Sequence, residues 1–409
     1  MKSDLDNLMA ERELDAFIIA GGEGYSVVRD YLSNGADITG GYIIKKHGAD
    51  PILVVNGMEI EEAQKSGLTA YTYNELDYMK LIQESEDMEK AQLVFWSKML
   101  EKADVATGRV GIYGRGDINV YIEMIESLRE ALPQYEFVGE KGTTLFDEAF
   151  ITKDADEIQR IKSVAQRTVQ VLEATWDFVA VHKLVDGTVT NSEGHPLTIG
   201  AVKRFVRREL LDRDLEDTGM IFAQGRDAGY PHSRGEADMV LQAGQSIVFD
   251  LFPREIGGGY HHDTTRTWCI GYAPPEVQQA YDAVIEGINI AEELFVVGKP
   301  THLMQEAVQD YLESLGHPTG RSEPGTMVGY MHSLGHGVGL NIHERPSISH
   351  MRKNDTFQVG NCLTIEPGLY YPDDGYGVRV EDLYIVSEAG ELISLTDFRR
   401  DLVIPMEFS

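Results

Sequence analysis

The first 150 residues alternate between two hydrophobic periods. Residues 15–20, 41–46, 51–56 and 109–113 are short apolar runs such as Ala16-Phe17-Ile18-Ile19 and Ile52-Leu53-Val54-Val55, and they predict strands. Between them, 58–66, 87–103 and 118–132 repeat apolar positions at helical spacing. Strands alternating with helices predict an α/β layer. That layer carries no legible chemistry. Gly21, Gly22 and Gly24 do not complete a phosphate-binding fingerprint, and Arg115-Gly116-Asp117 reads as a turn.

The pattern changes near residue 154. Asp154 is placed to cap a helix with Glu157 in its first turn, and Ile158, Ile161, Ala165, Thr168 and Leu172 recur on one face. Further helices are predicted at 198–212, 276–295 and 302–315, the last capped by Thr301. Strand-rich stretches follow each helical group, 245–252 with 260–270 and then 361–370 with 377–386. This region reads as two similar halves, each with helices followed by a hairpin.

Both hairpins carry acids where an apolar strand has no use for them. Asp250 interrupts Ile247-Val248-Phe249, and the chain returns past Gly257-Gly258-Gly259 with Asp263. Glu366 follows Leu363-Thr364-Ile365, the chain turns through Pro372-Asp373-Asp374-Gly375, and Glu381 lies on the return. Burying an unpaired carboxylate is costly, so four aimed at one core predict a bound divalent cation. Between the hairpins, His336 sits among Gly335, Gly337 and Gly339, which are expected to let the backbone approach a metal closely. His343 follows seven positions later.

Composition narrows the class. At 409 residues, two domains are expected. Hydrophobic residues at 42% and charged residues at 25% describe a globular chain. The net charge of −31, from 36 basic and 67 acidic residues, repels nucleic acid and anionic membranes, so neither is an expected partner. Adaptation to high salt is the alternative source of such a surface. No signal peptide is visible, and no run of about 18 apolar residues suggests a membrane span. Cys269 and Cys362 lie in apolar runs and read as small buried side chains, in keeping with a reduced cytoplasm.

Four phrases occur in a telling order: Asp263-Thr264-Thr265-Arg266-Thr267, Gly335-His336-Gly337-Val338-Gly339, Ile365-Glu366-Pro367-Gly368 and Val378-Arg379-Val380-Glu381-Asp382. Together they resemble the pita-bread metallopeptidases: methionine aminopeptidase, aminopeptidase P and prolidase, with creatinase as a non-metal relative. The preceding α/β segment resembles the amino-terminal domain of aminopeptidase P, prolidase and creatinase, which methionine aminopeptidases usually lack. The resemblance implies an α/β amino-terminal domain at 1–150. It also implies an α+β pita-bread catalytic domain at 151–409 with a curved, mainly antiparallel sheet.

It further implies two divalent ions, with Asp250 on one, Asp263 and Glu381 bridging both, and His336 and Glu366 on the second. Four hard oxygens and one imidazole favour manganese, with cobalt or zinc as alternatives. A water activated between the ions would attack the peptide carbonyl, and Glu366 would pass its proton to the leaving nitrogen. His232, in Tyr230-Pro231-His232-Ser233, and His343 are assigned to substrate binding and to the tetrahedral intermediate. Arg379 would hold substrate oxygens or orient Glu381. His332 would support the ligands, and His261 and His262 read as structural. The expected enzyme is an Xaa-Pro peptidase of aminopeptidase P or prolidase type, acting on peptides with proline in second position, as a homodimer.

Two departures stand out. Asp250 and Asp263 are 13 positions apart (263 minus 250), slightly more than the family spacing, so residues 252–255 are expected to bulge and reshape the pocket mouth. Asn341 stands where an acid is common. The rival readings are a creatinase-like, metal-independent amidinohydrolase and a non-catalytic peptide-binding module.

Overall fold

A computed structural model describes residues 1–85 and 87–406. The chain divides into two compact units, Met1–Phe150 with Gly257–Gly259, and Ile151–Ile256 with Tyr260–Ser409. In the first unit six strands form a mixed sheet in the order Thr69–Thr72, Ile52–Val55, Tyr42–Lys46, Ala16–Gly21, Gly108–Arg115, Tyr135–Val138. Ala16–Gly21 is central and buried almost throughout, which is why it reads as an unbroken apolar run rather than an alternating one. The helices Met88–Lys102 and Ile118–Ala131 lie where the period placed them. Asp117 caps the second by accepting from the amides of Asn119 and Val120. The predicted helix at 58–66 is instead a 3-10 turn, Gly57–Glu59, followed by Ile60–Lys65.

In the second unit Asp154 accepts from the amides of Asp156 and Glu157, and the Glu157 carboxylate returns to the Asp154 amide. This reciprocal cap starts the long helix Ala155–Ala180. Its apolar stripe, including Val164, Leu172 and Trp176, packs with Ile199–Leu211 onto a four-stranded sheet. The strand order there is Ile221–Gln224, Ser246–Leu251, Thr264–Ile270, Val403–Ile404. Pro275–Leu294 and His302–Ser314 pack onto a five-stranded sheet ordered Glu344–Ile348, Gly335–Gly337, Cys362–Ile365, Asp382–Val386, Leu392–Ser394. The two-half organisation is thus a pair of helix-covered sheets.

Two details depart from the sequence reading. Thr301 occupies the cap position of His302–Ser314 but makes no side-chain cap. Its backbone is already helical, and its hydroxyl donates to the Ser347 carbonyl at 2.7 Å. The mainly antiparallel β-structure is also divided among several sheets. Its second hairpin is nested: Cys362–Ile365 pairs with Asp382–Val386, and Gly368–Tyr371 with Tyr376–Arg379. Glu366 and Pro367, opposite Val380 and Glu381, interrupt the ladder between these pairs. An isolated bridge between Thr265 and Glu381 then stitches the four-stranded sheet to the five-stranded one, with amide-to-carbonyl distances of 3.0 and 3.3 Å.

Candidate metal centre

Strand alternation gathers the acids. Along Ser246–Leu251, the side chains of Ile247, Phe249 and Leu251 enter the core under the long helix, so Asp250 takes the opposite face. Trp268 and Ile270 do the same on the partner strand, leaving Thr265 and Thr267 on the face of Asp250 and Asp263. Across the seam, Leu363 and Ile365 belong to the second core, as do Val378 and Val380. Thr364 and Glu366, and likewise Arg379 and Glu381, therefore point the other way.

Asp263, His336 and Glu381 each offer one ligand atom, and the three atoms lie within 4.8 Å of one another. The His336 Nε2 atom is 3.6 Å from Asp263 Oδ2 and 3.3 Å from Glu366 Oε1. Its Nδ1 lies 3.0 Å from the Gly337 carbonyl, which makes Nδ1 the protonated nitrogen and turns Nε2 to the carboxylates. Asp250 stands beside this group, with its Oδ2 2.7 Å from Arg379 Nη2.

Arg379 is 3% exposed and makes hydrogen bonds to the protein from all three of its nitrogens. Besides Asp250, its Nε donates to Thr265 Oγ1 at 3.1 Å, and its Nη1 donates to the Tyr370 hydroxyl at 2.8 Å and the Pro231 carbonyl at 3.3 Å. Thr265 Oγ1 in turn donates to Glu381 Oε2 at 2.8 Å. Arg379 thus bears on Glu381 both through Thr265 and by its charge. The sequence reading did not single out Thr265 or Tyr370. The available signal was Thr265 and Thr267, two hydroxyls alternating along an apolar strand in step with Asp263.

The histidines separate by environment. His343 is exposed and stacks edge-on against His336, with ring centroids 4.4 Å apart. His232 is exposed on the loop after Tyr230, on the side of Asp250, His332 and His343. His332 joins the network behind the ligands, with Nδ1 2.7 Å from the Ser333 carbonyl and Nε2 2.9 Å from the Tyr370 hydroxyl. His261 and His262 are buried against Gly339 and Thr396, and burial pushes them down to about 4 and about 3, so both stay neutral.

The glycines around His336 make room for neighbouring strands. A Cβ on Gly335 would lie 2.0 Å from the Thr364 carbonyl oxygen, and one on Gly337 2.2 Å from that of Arg345. They let neighbouring strands close in on His336. The extra length between Asp250 and Asp263 is taken up by Arg254–Glu255, which leaves the sheet to pair with Leu215–Glu216.

The electrostatics are those of an overcrowded acidic cluster. Burial, followed by repulsion from neighbouring carboxylates, lifts Asp263 and Glu381 well above the usual range. Burial also raises Asp250, against the pull of Arg379. Burial would raise Glu366 as well, but its hydrogen bond to His336 and the charge of that ring hold it down to about 2. Burial lowers His336, and Glu366 and Asp263 overcome this and raise it to about 9.

Residues 159–388, more than half of the chain, match the model of metallopeptidase family M24. The chain belongs to this family. Among its M24 relatives, a putative dipeptidase of Bacillus subtilis is 28% identical over 360 residues, 87% of this chain and 86% of the relative. The Xaa-Pro dipeptidase of Pyrococcus furiosus is 26% identical over 410 residues, 98% of this chain and 100% of the relative. The solved prolidase of Pyrococcus horikoshii superposes with a TM-score of 0.73 at 22% identity, covering 98% of this chain and 99% of that one. The X-Pro aminopeptidase of Thermotoga maritima gives 0.73 at 20% identity, covering 95% and 97%. At these identities the two structures share the fold. The M24 chain described here is a metallopeptidase with an α/β unit and a pita-bread catalytic unit.

The residues present fit the metal that an M24 peptidase implies. Asp250 Oδ1 and Asp263 Oδ1 are buried and have no hydrogen-bond partner among the described residues. Such orphaned acceptors are costly unless a cation or solvent meets them. Cationic charge among these carboxylates would also cancel the repulsion that raises Asp263 and Glu381.

Proposed function

We propose that this metallopeptidase uses two divalent ions to hydrolyse the Xaa-Pro bond of peptides with proline in second position. The observation that carries the reading is the convergence of Asp263, His336 and Glu381 within 4.8 Å, with Glu366 and Asp250 on their flanks. Asp250 would serve one ion through its unpartnered Oδ1. Asp263 and Glu381 would bridge, and His336 and Glu366 would serve the other. A donor set of four carboxylates and one imidazole suits manganese, with cobalt or zinc as alternatives. When bound, such ions polarise a peptide carbonyl and bring the pKa of water near neutrality.

The remaining work falls to the chain. Glu366, held ionised beside His336, is the acceptor for the proton of the attacking water and its donor to the departing proline nitrogen. That nitrogen has no hydrogen in the substrate, so the leaving group must be protonated before it departs as a secondary amine. His232 and His343 are placed to donate to the scissile carbonyl as it gains negative charge. Arg379 and Thr265 hold Asp250 and Glu381 in place. The proline preference draws on the Xaa-Pro dipeptidase and prolidase relatives. A homodimeric state draws on the family resemblance, and a cytoplasmic location on two free, buried cysteines.

The test compares turnover on an Xaa-Pro dipeptide, an Xaa-Pro-Yaa-Zaa peptide and a matched Xaa-Ala peptide, with manganese present. Preference for the longer proline peptide means aminopeptidase P action, and confinement to the dipeptide means prolidase action. Equal turnover on the alanine peptide overturns the specificity and leaves the metal centre standing.

A further inference from the structure

Lys153 and Glu344 form an ion pair away from the metal ligands, with Nζ 2.8 Å from Oε2 and side chains 1% and 3% exposed. Both partners are anchored. The Lys153 amide donates to the Gly360 carbonyl at 2.8 Å, and the preceding Ile151 carbonyl accepts from Asn361 Nδ2 at 2.9 Å. On the other side, Glu344 Oε1 accepts from the Asn341 amide at 2.9 Å. A Cβ on Gly339 would come 2.3 Å from Glu344 Oε2, so the turn 339–344 is wrapped around this one carboxylate. The Gly339 carbonyl is held from outside by the His261 amide at 2.9 Å.

His343 is the residue immediately before Glu344. It is exposed, yet it keeps its ring edge-on to His336. An exposed ring at the tip of a glycine-containing turn depends on the turn's own geometry to keep that contact with His336. Its backbone is fixed by its neighbour, whose carboxylate must meet Lys153 Nζ and the Asn341 amide together. Burying an ion pair yields little net stability compared with an apolar pair of similar volume, but it selects one geometry.

We infer that the Lys153–Glu344 pair is a positioning device for His343. The inference rests on the proposed role of His343 at the scissile carbonyl. It makes both residues positioning residues, with no contact to substrate or metal. Misplacing a substrate-contacting group by about 1 Å costs up to about 100-fold in rate, so the pair should matter for kcat far more than for folding.

The experiment replaces the pair with apolar side chains, Lys153→Met with Glu344→Leu, in the otherwise native chain and in a His343→Ala background. Each protein is loaded with manganese and assayed on the Xaa-Pro-Yaa-Zaa peptide, and metal content and melting temperature are read alongside. In the native background, kcat should fall about 10-fold to 100-fold with KM and metal content little changed. In the His343→Ala background, the same replacement should cost less than about twofold more, because the group it positions is already gone. Glu344→Asp keeps the charge but retracts the carboxylate by one methylene, and it supports the same comparison if the apolar pair does not fold. An equal loss in both backgrounds, or no loss in the native one, overturns the inference. His343→Ala at native turnover overturns the proposed role of His343 itself, and the inference with it.

Discussion

Thr265→Val is the sharpest probe of the metal centre, because valine keeps the shape of threonine and removes only the hydroxyl. Thr265 is fully buried. Its Oγ1 donates to Glu381 Oε2 at 2.8 Å and accepts from Arg379 Nε at 3.1 Å. Hydrogen bonds to charged groups contribute about 1.5–3 kcal/mol each, and an orphaned buried donor costs about 1–3 kcal/mol. With partial relaxation of Arg379 toward its other partners, the metal-free protein should lose roughly 2–4 kcal/mol of stability. The larger signature lies in binding. Removing the group that orients a ligand typically costs about 10-fold to 100-fold in metal affinity, or about 1.4–2.7 kcal/mol. Manganese titrated into metal-free protein by calorimetry reads the affinity directly. Turnover against free metal concentration should shift to the right by the same factor and recover to within a few-fold at saturation. Thr265→Ser, which keeps the hydroxyl, should stay near native. An affinity within twofold of native in Thr265→Val would refute the chain of orientation from Arg379 through Thr265 to Glu381.

The metal-free protein should carry an unusual pH dependence. His336, Asp263 and Glu381 all bind protons more tightly when folded, so their contribution is complete at acid pH and lost as pH rises. For His336 the window runs from 6.5 to about 9, and urea unfolding there should lose roughly 1.4 kcal/mol per pH unit for each extra proton held. Glu366 acts oppositely: its contribution is present above 4.5 and lost as pH falls toward about 2. Cations replace these protons, so metal-loaded protein should show a flatter alkaline limb and a higher melting temperature, and equal slopes with and without chelator would contradict the assignment. His232→Ala and His343→Ala should each keep both metals and lose turnover by about 10²–10³, the scale of one transition-state donor. Loss of metal in either variant, measured by elemental analysis, would move that residue into the ligand set.

The sequence made most of this architecture legible because the site is written in strand alternation. Single acids in apolar strands, at Asp250 and Glu366, can be placed on a face by counting in twos. The cap at Asp154 was equally readable, since the side chain and its amides lie within one turn. What stayed hidden depends on contacts across long separations. Arg379 sits two positions from Glu381, yet its direct carboxylate partner is Asp250, 129 positions earlier (379 minus 250). Nothing local could reveal that choice. What Gly335 and Gly337 make room for was hidden for a similar reason, because their neighbours are backbone carbonyls at 364 and 345. Short elements such as Val27–Leu32 and Tyr135–Val138 are too brief to establish a period of their own.

The bridge at Thr265 and Glu381 gives the catalytic unit a fastening point. One sheet contributes the two aspartates, and His336, Glu366 and Glu381 come from the other, so the ligands face each other across a join made by the Thr265–Glu381 bridge and by side chains, such as Thr267 on the Arg379 backbone and Arg266 on Asp382. Linkage is reciprocal: whatever draws the two halves together tightens the grip on cations, and cations resist whatever drives them apart. Mechanical or chemical strain far from the carboxylates, applied to either layer, should therefore register first as metal release rather than as unfolding. The join between the two sheets is also where the chemistry sits, and the cations it is built to hold would serve as its clasp.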